Sequence, residues 1–192
     1  MVAMTESVGI AEGRPFTVYD LEAMPDDGKR YELIDGTLLV TPAPGWSHQE
    51  MAFAVAKVLD RACPPDLRVL IAPFAVRTSI TNEVQPDVLV ARYTDLTEAN
   101  LPVAPVLAVE VLSLSTGLKD RNFKRAHYER IGSQSYWILD PREPGGVEVY
   151  ELDGDDKYTL VASVVGDEVL PLRRPFPVNL SPARLLDRLR PV

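Results

Sequence analysis

Residues 105–112 read PVLAVEVL, an apolar run that contains a single carboxylate, Glu110. β-Branched and aliphatic residues in an unbroken run are typical of a strand that is covered on both faces. An ionised carboxylate in such surroundings is destabilising unless it is paired, hydrogen-bonded or bound to a cation. The run therefore predicts a buried strand, and Glu110 requires a partner from elsewhere in the chain.

The preceding apolar run begins at Pro86-Asp87 and continues through Val90. If the two runs pair like the arms of a hairpin, Asp87 and Glu110 can face the same side of the sheet. Two carboxylates in close proximity repel each other unless they share a cation. The chain has two His and one Cys, so an oxygen-only site for Mg²⁺, with Mn²⁺ able to substitute, is favoured over a zinc site.

Residues Asp120 to Ile131 have the spacing of a helix that directly follows the Glu110 strand, and Phe123, Tyr128 and Ile131 are predicted to face the sheet. A short connection could bring the ammonium group of Lys124 back over the end of that strand, beside the metal. Lys124 could there orient a water molecule or stabilise charge that develops on a phosphoryl group. The segment also carries Lys119, Arg121, Arg125 and Arg130, which predict a surface that faces phosphate.

Local signals predict the elements near the N-terminus. Thr17 and Asp20 indicate the start of a short helix that continues through Met24. Asp35-Gly36 predicts a tight hairpin turn, and Glu32 lies on the first arm of that hairpin. Ser47 and Glu50 form an S-x-x-E pattern that predicts a capping box for a helix ending before Pro64-Pro65.

Further strands are predicted over 67–76 and 136–139, and alternating residues predict a hairpin with arms at 147–152 and 158–164. Pro182 suits the first turn of a final helix that places Leu185, Leu186 and Leu189 on one face.

Length and composition predict a mobile leader over 1–14 and a single domain over 15–192. No apolar run approaches the roughly 20 residues that a bilayer span needs, so we expect no membrane segment. The lone Cys63 and the absence of a secretory signal pattern predict a cytoplasmic protein. The formal net charge of −8 argues against broad electrostatic binding of nucleic acid.

Several motifs occur together and in order: YELIDG, His48 at a helix start, QPDVLV, VEVLS, Asp120 with Lys124 and Tyr128, and SYWILDP. In this order and spacing they resemble the Uma-two family, a branch of the PD-(D/E)XK nuclease superfamily, over roughly residues 16–186. The resemblance implies an α/β fold with a restriction-endonuclease-like core, in which helices flank a central mixed β-sheet, with extra N-terminal and C-terminal β-hairpins. It also implies magnesium-dependent hydrolysis of phosphodiester bonds.

Within that resemblance, Asp87 matches the aspartate of the PD motif and Glu110 the second acidic ligand. The superfamily's usual lysine would fall at Leu112, which cannot perform that role, and Lys124 matches the relocated lysine of the Uma-two pattern. Glu32 matches the acidic residue of an early hairpin motif and could add a third carboxylate. The expected metal ligands are therefore Asp87, Glu110, the backbone carbonyl of Val111, and Glu32.

Each of these residues also has an ordinary structural interpretation. Asp87 could be a turn residue that bonds its own backbone, Glu110 a member of a buried ion pair, and Lys124 the helical partner of Asp120. His48 is predicted to be a first-turn surface residue, with substrate contact as the alternative. Glu50 is left out of the site because a capping box would explain it.

Two functions remain open after the sequence alone. The first is a magnesium-dependent endonuclease that acts on DNA as a homodimer, with Asp87, Glu110 and Lys124 as its catalytic residues. The second is a catalytically silent nuclease-fold module for binding or dimerisation, which the acidic net charge and the absence of an extended basic arm support. A serine hydrolase is disfavoured because Ser113 and Ser115 lie outside a Gly-x-Ser-x-Gly motif.

Overall fold

The computed structural model describes residues 14–113 and 118–187, without the side chains of 118–121. The helices are α1 Val18–Glu22, α2 Trp46–Ala62, α3 Leu118–Ile131 and α4 Pro182–Leu186. The strands are β1 Arg30–Ile34, β2 Thr37–Thr41, β3 Leu67–Ile71, β4 Ala75–Ser79, β5 Asn82–Val84, β6 Val88–Arg92, β7 Asn100–Leu101, β8 Leu107–Val111, β9 Ser135–Asp140, β10 Gly146–Leu152, β11 Tyr158–Val165, β12 Leu170–Leu172 and β13 Val178–Leu180. None of the described helices is long and apolar enough to cross a bilayer.

The largest sheet has six strands in the order β11-β10-β9-β8-β6-β3. Its strands β8 and β9 are parallel and are connected through α3, whereas the other neighbouring pairs are antiparallel. All five residues of β8 are buried, as expected for a strand covered on both faces. The PVLAVEVL stretch therefore supplies a strand in the interior of a mixed sheet.

The two faces of this sheet are covered by different layers. Apolar residues of α2, including Met51, Val55 and Leu59, pack with Leu107 and Val109 in one core cluster. The alternate β8 residue Ala108 instead packs with Tyr128 of α3 in a second cluster, together with residues of a second sheet. Glu110 has the same strand parity as Ala108, which directs it to the α3 side.

The second sheet has five strands in the order β2-β1-β5-β4-β7. Its β1–β2 hairpin turns at Asp35 and Gly36, which have positive φ angles of 50° and 72°. Such angles are those of a tight primed turn, so the predicted hairpin is confirmed. This hairpin brings Glu32 from the start of the chain to the same side of the molecule as β6 and β8.

The predicted α/β class with a central mixed sheet and flanking helices is confirmed. The predicted N-terminal hairpin is β1–β2, and the predicted C-terminal hairpin is β10–β11, which extends the edge of the main sheet. A further small hairpin, β12–β13, follows it.

Three local predictions were wrong or incomplete. The predicted strand over 67–76 is two strands in different sheets, β3 and β4, because the chain changes direction at Ala72-Pro73. Helix α2 begins at Trp46 with Gly45 as its N-cap, so Ser47 and Glu50 do not form the predicted capping box. Phe123 was predicted to face the sheet but is 37% exposed. Ser115 and Leu189 lie outside the described residues.

Candidate active site

Asp87 lies immediately before β6 and is buried. Because Val88 pairs with Val109 in the antiparallel β6–β8 register, the next position along that register sets Asp87 opposite Glu110. The backbone N–H of Val111 donates a hydrogen bond to Asp87 Oδ2 at 2.8 Å. The carboxylate therefore bonds the neighbouring strand, and the interpretation of Asp87 as a turn residue bound to its own backbone is wrong.

The side chains of Arg30 and His48 both contact the carboxylate of Asp87. An Arg30 guanidinium nitrogen lies 3.0 Å from Asp87 Oδ1, and His48 Nε2 lies 3.1 Å from Oδ2. Burial on its own would raise the pKa of Asp87, but the hydrogen bond and charge of His48, with the charges of Arg30 and Lys124, lower it to about 2. Asp87 is therefore ionised at neutral pH.

Glu110 is buried at the centre of the site, 9% exposed. Lys124 Nζ lies 3.0 Å from its Oε1 and 3.1 Å from its Oε2, and the Tyr128 hydroxyl donates to Oε1 at 3.1 Å. Burial raises the pKa of Glu110 to about 7, with further upward contributions from Asp87 and Glu32 that Lys124 and Arg30 oppose. Burial also raises the pKa of Tyr128 well above its ordinary value, so its hydroxyl remains a hydrogen-bond donor.

Lys124 joins Glu110 to the hairpin carboxylate of Glu32. Its Nζ lies 3.0 Å from Glu32 Oε2, and Glu32 Oε1 also accepts a 2.7 Å hydrogen bond from the backbone N–H of Gln85. Burial would lower the pKa of Lys124, but the carboxylates of Glu110, Glu32 and Asp87 raise it above its usual value. Lys124 is therefore an ammonium group at neutral pH, held among three acids that lie on different elements.

The structure thus brings together all four side chains that the sequence singled out: Asp87, Glu110, Lys124 and Glu32. Glu32 is only 1% exposed, so it is a buried member of the cluster although it lies on the N-terminal hairpin. His48, predicted as a surface residue, is also buried and contacts Asp87. Val111 lies beside Asp87 through its N–H, and the contribution of its carbonyl stays a prediction.

Three members of the site were missed or misassigned in the sequence: Arg30, His48 and Tyr128. Tyr128 follows Lys124 by four positions, and this helical spacing puts both side chains on one face, which was a usable signal. Arg30 lies 57 positions from Asp87, and no local pattern connects them. Glu50, set aside as a capping residue, lines a cavity of about 260 Å³ together with Arg30, His48 and Asp87.

No three His, Cys, Asp or Glu side chains within the described ranges already converge as a metal-binding group. The donor set nevertheless fits a hard divalent cation. An ionised carboxylate offers about four acceptor sites, and among the described residues Asp87 and Glu110 each have three hydrogen-bond or ion-pair contacts, which leaves room for one more. Glu32 Oε2 is buried, and the group that lies beside it in the described part of the chain is the ammonium of Lys124, at 3.0 Å.

The chain is similar to known proteins in sequence and in fold. The model of a family named Uma2 and described as "Putative restriction endonuclease" matches residues 18–187. The chain belongs to the Uma2 family. A solved structure described as a putative nuclease belonging to DUF820 from Anabaena variabilis superimposes with a TM-score of 0.71 at 20% identity.

That superposition covers 92% of this chain and 100% of the Anabaena chain, so the two proteins share a fold. The Uma2 match and this superposition together identify the α/β architecture as restriction-endonuclease-like. The resemblance on which the sequence interpretation depended is therefore confirmed. No curated protein matches the chain.

Proposed function

We propose that this Uma2 protein is a metal-dependent endonuclease that hydrolyses DNA phosphodiester bonds, with Mg²⁺ as cofactor and Mn²⁺ able to substitute. The observation that carries the proposal is the convergence of Asp87 and Glu110, from adjacent strands, on the buried ammonium group of Lys124. A strongly shifted pKa in a carboxylate with a defined charge partner is characteristic of functional sites. Family membership supports nuclease chemistry in general.

Asp87 and Glu110 would hold the metal, with the carbonyl of Val111 and with Glu32 as further oxygen ligands. All these donors are oxygens, which Mg²⁺ prefers. A bound Mg²⁺ supplies a Lewis acid that polarises the phosphoryl oxygens and lowers the pKa of water. Because the ammonium of Lys124 lies between Glu32 and Glu110, metal entry requires Lys124 to give up part of its contact with these carboxylates.

Lys124 acts in this proposal through its charge. Its raised pKa keeps it protonated, so it donates hydrogen bonds and offsets negative charge on the phosphoryl group instead of abstracting a proton. Tyr128 orients the Glu110 carboxylate through its hydroxyl, and Arg30 fixes Asp87 from the opposite side. Arg30 and Lys124 also give the site two cations in an otherwise acidic chain.

A second candidate function is a catalytically silent module with the nuclease fold. The observation that favours it is that Glu110 is already paired with Lys124 and Asp87 with Arg30, so the buried charges have partners without a metal. The combination of three acids around one lysine favours the nuclease, because a fold-stabilising pair needs one acid. Replacing a buried ion pair by apolar residues is often neutral or stabilising, so stability alone does not explain this cluster.

The proposal extends to the partners and location of the protein. A homodimer would supply one site for each strand of a duplex, and closed two-fold dimers are the commonest oligomers. The free thiol of Cys63 is consistent with the reducing cytoplasm that we propose as the location.

Cleavage of plasmid, linear duplex and single-stranded DNA by the purified chain tests the proposal. We expect product in Mg²⁺ or Mn²⁺ and none in a chelator. A folded chain that cleaves none of the three DNA forms with either metal supports the silent module. Cleavage that continues in the chelator contradicts metal dependence.

A further inference from the structure

One face of α2 is unusually rich in exposed aromatic and basic side chains. Trp46 is 68% exposed and Phe53 is 47% exposed, and Gln49 and Lys57 are exposed at the intervening helical positions. We name Trp46, Gln49, Phe53, Lys57 and Arg61 the α2 face. Its spacings of three and four residues align these side chains in a stripe about 22 Å long at 1.5 Å per residue.

Two cavities lie along this face, and one of them is also lined by residues of the candidate active site. The first, about 260 Å³, is lined by Arg30, His48 and Asp87 and also by Phe53. The second, about 350 Å³, is lined by Phe53, Lys57 and Arg61, and by Arg184 from α4. Because Phe53 lines both cavities, they lie next to each other along α2, one beside Asp87 and the other beside the three cations.

These cations are available to bind an anion. Lys57, Arg61 and Arg184 form no ion pair with any other residue in the described part of the chain, and Lys57 Nζ lies 5.4 Å from the centre of the Phe53 ring. The carboxylates of Glu50 and Asp60 lie on the same helix, so acidic as well as basic side chains occur along it.

The basic segment of α3 was the predicted phosphate surface, and of its two described arginines Arg130 is paired with an acid. Arg125 lies over the Tyr150 ring at 5.0 Å, and Arg130 forms an ion pair with Asp35 at 2.7 Å. The side chains of Lys119 and Arg121 lie outside the described residues. The contrast with α3 makes the α2 face the better candidate for contact with substrate.

We propose that a DNA strand with unpaired bases leaves the catalytic cluster along the α2 face. In this arrangement a base stacks on Phe53, and Lys57, Arg61 and Arg184 neutralise successive phosphates. An exposed aromatic ring among cations is the combination that single-strand binding uses, because every base presents a stacking face. The inference rests on the proposed nuclease function and adds its substrate class and the path of the strand.

Charge also argues against a second copy of the chain as the occupant. A two-fold interface pairs a patch with itself, so it would bring Lys57, Arg61 and Arg184 near their own copies. Like charges placed close together across an interface are destabilising. A polyanion has the complementary charge.

The test is binding of a fluorescent single-stranded DNA of about 12 nucleotides, measured by anisotropy in chelator so that no strand is cut. Phe53→Ala should weaken binding at least about fivefold, since stacking on one aromatic side chain is worth that much or more. Leu160→Ala, which truncates an equally exposed apolar residue on β11, is the matched control and should bind as the native chain does.

Lys57→Glu should weaken binding and lower the slope of log affinity against log salt by about 0.7, because one phosphate contact is lost. Lys157→Glu has the same net charge as Lys57→Glu and is its control. Lys157 lies on the turn before β11 with its side chain 71% exposed, so this variant should retain the native slope.

Four outcomes would overturn the inference. Equal losses of DNA affinity in Lys57→Glu and Lys157→Glu would show that binding depends only on the net charge of the protein. Native binding by Phe53→Ala would exclude the stacking path while leaving the nuclease proposal intact. A dimer that dissociates in Phe53→Ala, seen in sedimentation, without a change in DNA affinity would make the α2 face a contact between copies. A native chain that binds no single-stranded DNA even at low salt would remove the strand path, while the nuclease proposal would still depend on the separate cleavage assay with Mg²⁺ or Mn²⁺.

Discussion

Lys124→Met is expected to destabilise the metal-free protein by about 3–5 kcal/mol at pH 8, the range typical of breaking a buried ion pair. The substitution leaves the buried carboxylates of Glu110 and Glu32 without their shared cation. DNA cleavage should fall by about 10²–10³-fold, the usual effect of removing one group that stabilises developing charge. Urea unfolding and initial cleavage rates measure the two effects.

The destabilisation by Lys124→Met should depend on pH with a defined sign. Lys124 lowers the pKa of Glu110, so without the lysine this pKa rises further above its value in the unfolded chain, and protonation of Glu110 then relieves part of the destabilisation. The loss of stability is therefore greatest above neutral pH and shrinks as pH falls toward 5. Lys157→Met, which removes an exposed lysine paired with Glu129, should change stability by no more than about 1 kcal/mol.

A fully stable Lys124→Met protein at pH 8 would contradict the buried charge cluster. Lys124→Arg separates charge from geometry, because the guanidinium keeps the charge but replaces a compact ammonium with a planar fork. We expect this variant to recover much of the stability and little of the cleavage. Native cleavage by Lys124→Arg would show that position 124 requires only a positive charge.

Asp87→Asn is expected to reduce cleavage by at least about 10³-fold. In the proposed nuclease Asp87 holds the metal, and a bound metal contributes several kcal/mol of charge stabilisation in the transition state. Each 1.4 kcal/mol corresponds to a factor of ten in rate. The amide oxygen of asparagine can still accept the hydrogen bond from Val111, so the strand pairing should persist. Initial rates of plasmid cleavage measure the loss, and the far-ultraviolet circular dichroism spectrum of each variant shows whether it is folded.

Asp27→Asn is the matched control for Asp87→Asn, because it makes the same chemical change at an exposed position paired with Lys29. It should cleave at the native rate. Cleavage by folded Asp87→Asn that equals that of the control would exclude Asp87 from the catalytic centre.

Local signals in the sequence were sufficient to predict the strand and the hairpin that carry residues of the site. The unbroken apolar run around Glu110 and the turn at Asp35-Gly36 each depend on neighbouring residues only, and both form as predicted. The placement of Lys124 over the Glu110 strand followed from the short strand-to-helix connection. The interruption of the predicted 67–76 strand at Pro73 could also have been predicted, because proline interrupts a ladder of strand hydrogen bonds.

The long-range partners of the carboxylates could not be predicted in the same way. Arg30 and His48 reach Asp87 only because the β1–β2 hairpin and the start of α2 fold against the end of β6. Their positions in the sequence resemble those of ordinary surface residues. For Glu50 the local pattern was misleading. The S-x-x-E pattern predicted a capping role, but the N-cap of α2 is Gly45, so Glu50 is not part of a capping box.

The most direct test of the role of Glu110 is the thermal midpoint of the native chain and of Glu110→Gln, with and without Mg²⁺. In chelator at pH 8, Glu110→Gln should melt several degrees above the native chain, because the folded state holds Glu110 at a pKa of about 7, above that of the unfolded state. That difference should disappear near pH 5, since this penalty develops only as pH rises through the unfolded and folded pKa values.

Mg²⁺ should raise the midpoint of the native chain by several degrees, because a ligand that binds only the folded state stabilises it, and should leave Glu110→Gln unchanged. This result would place the cation at the buried carboxylate. Equal midpoints of the native chain with and without Mg²⁺, or equal responses of native and variant, would contradict a metal site at Glu110.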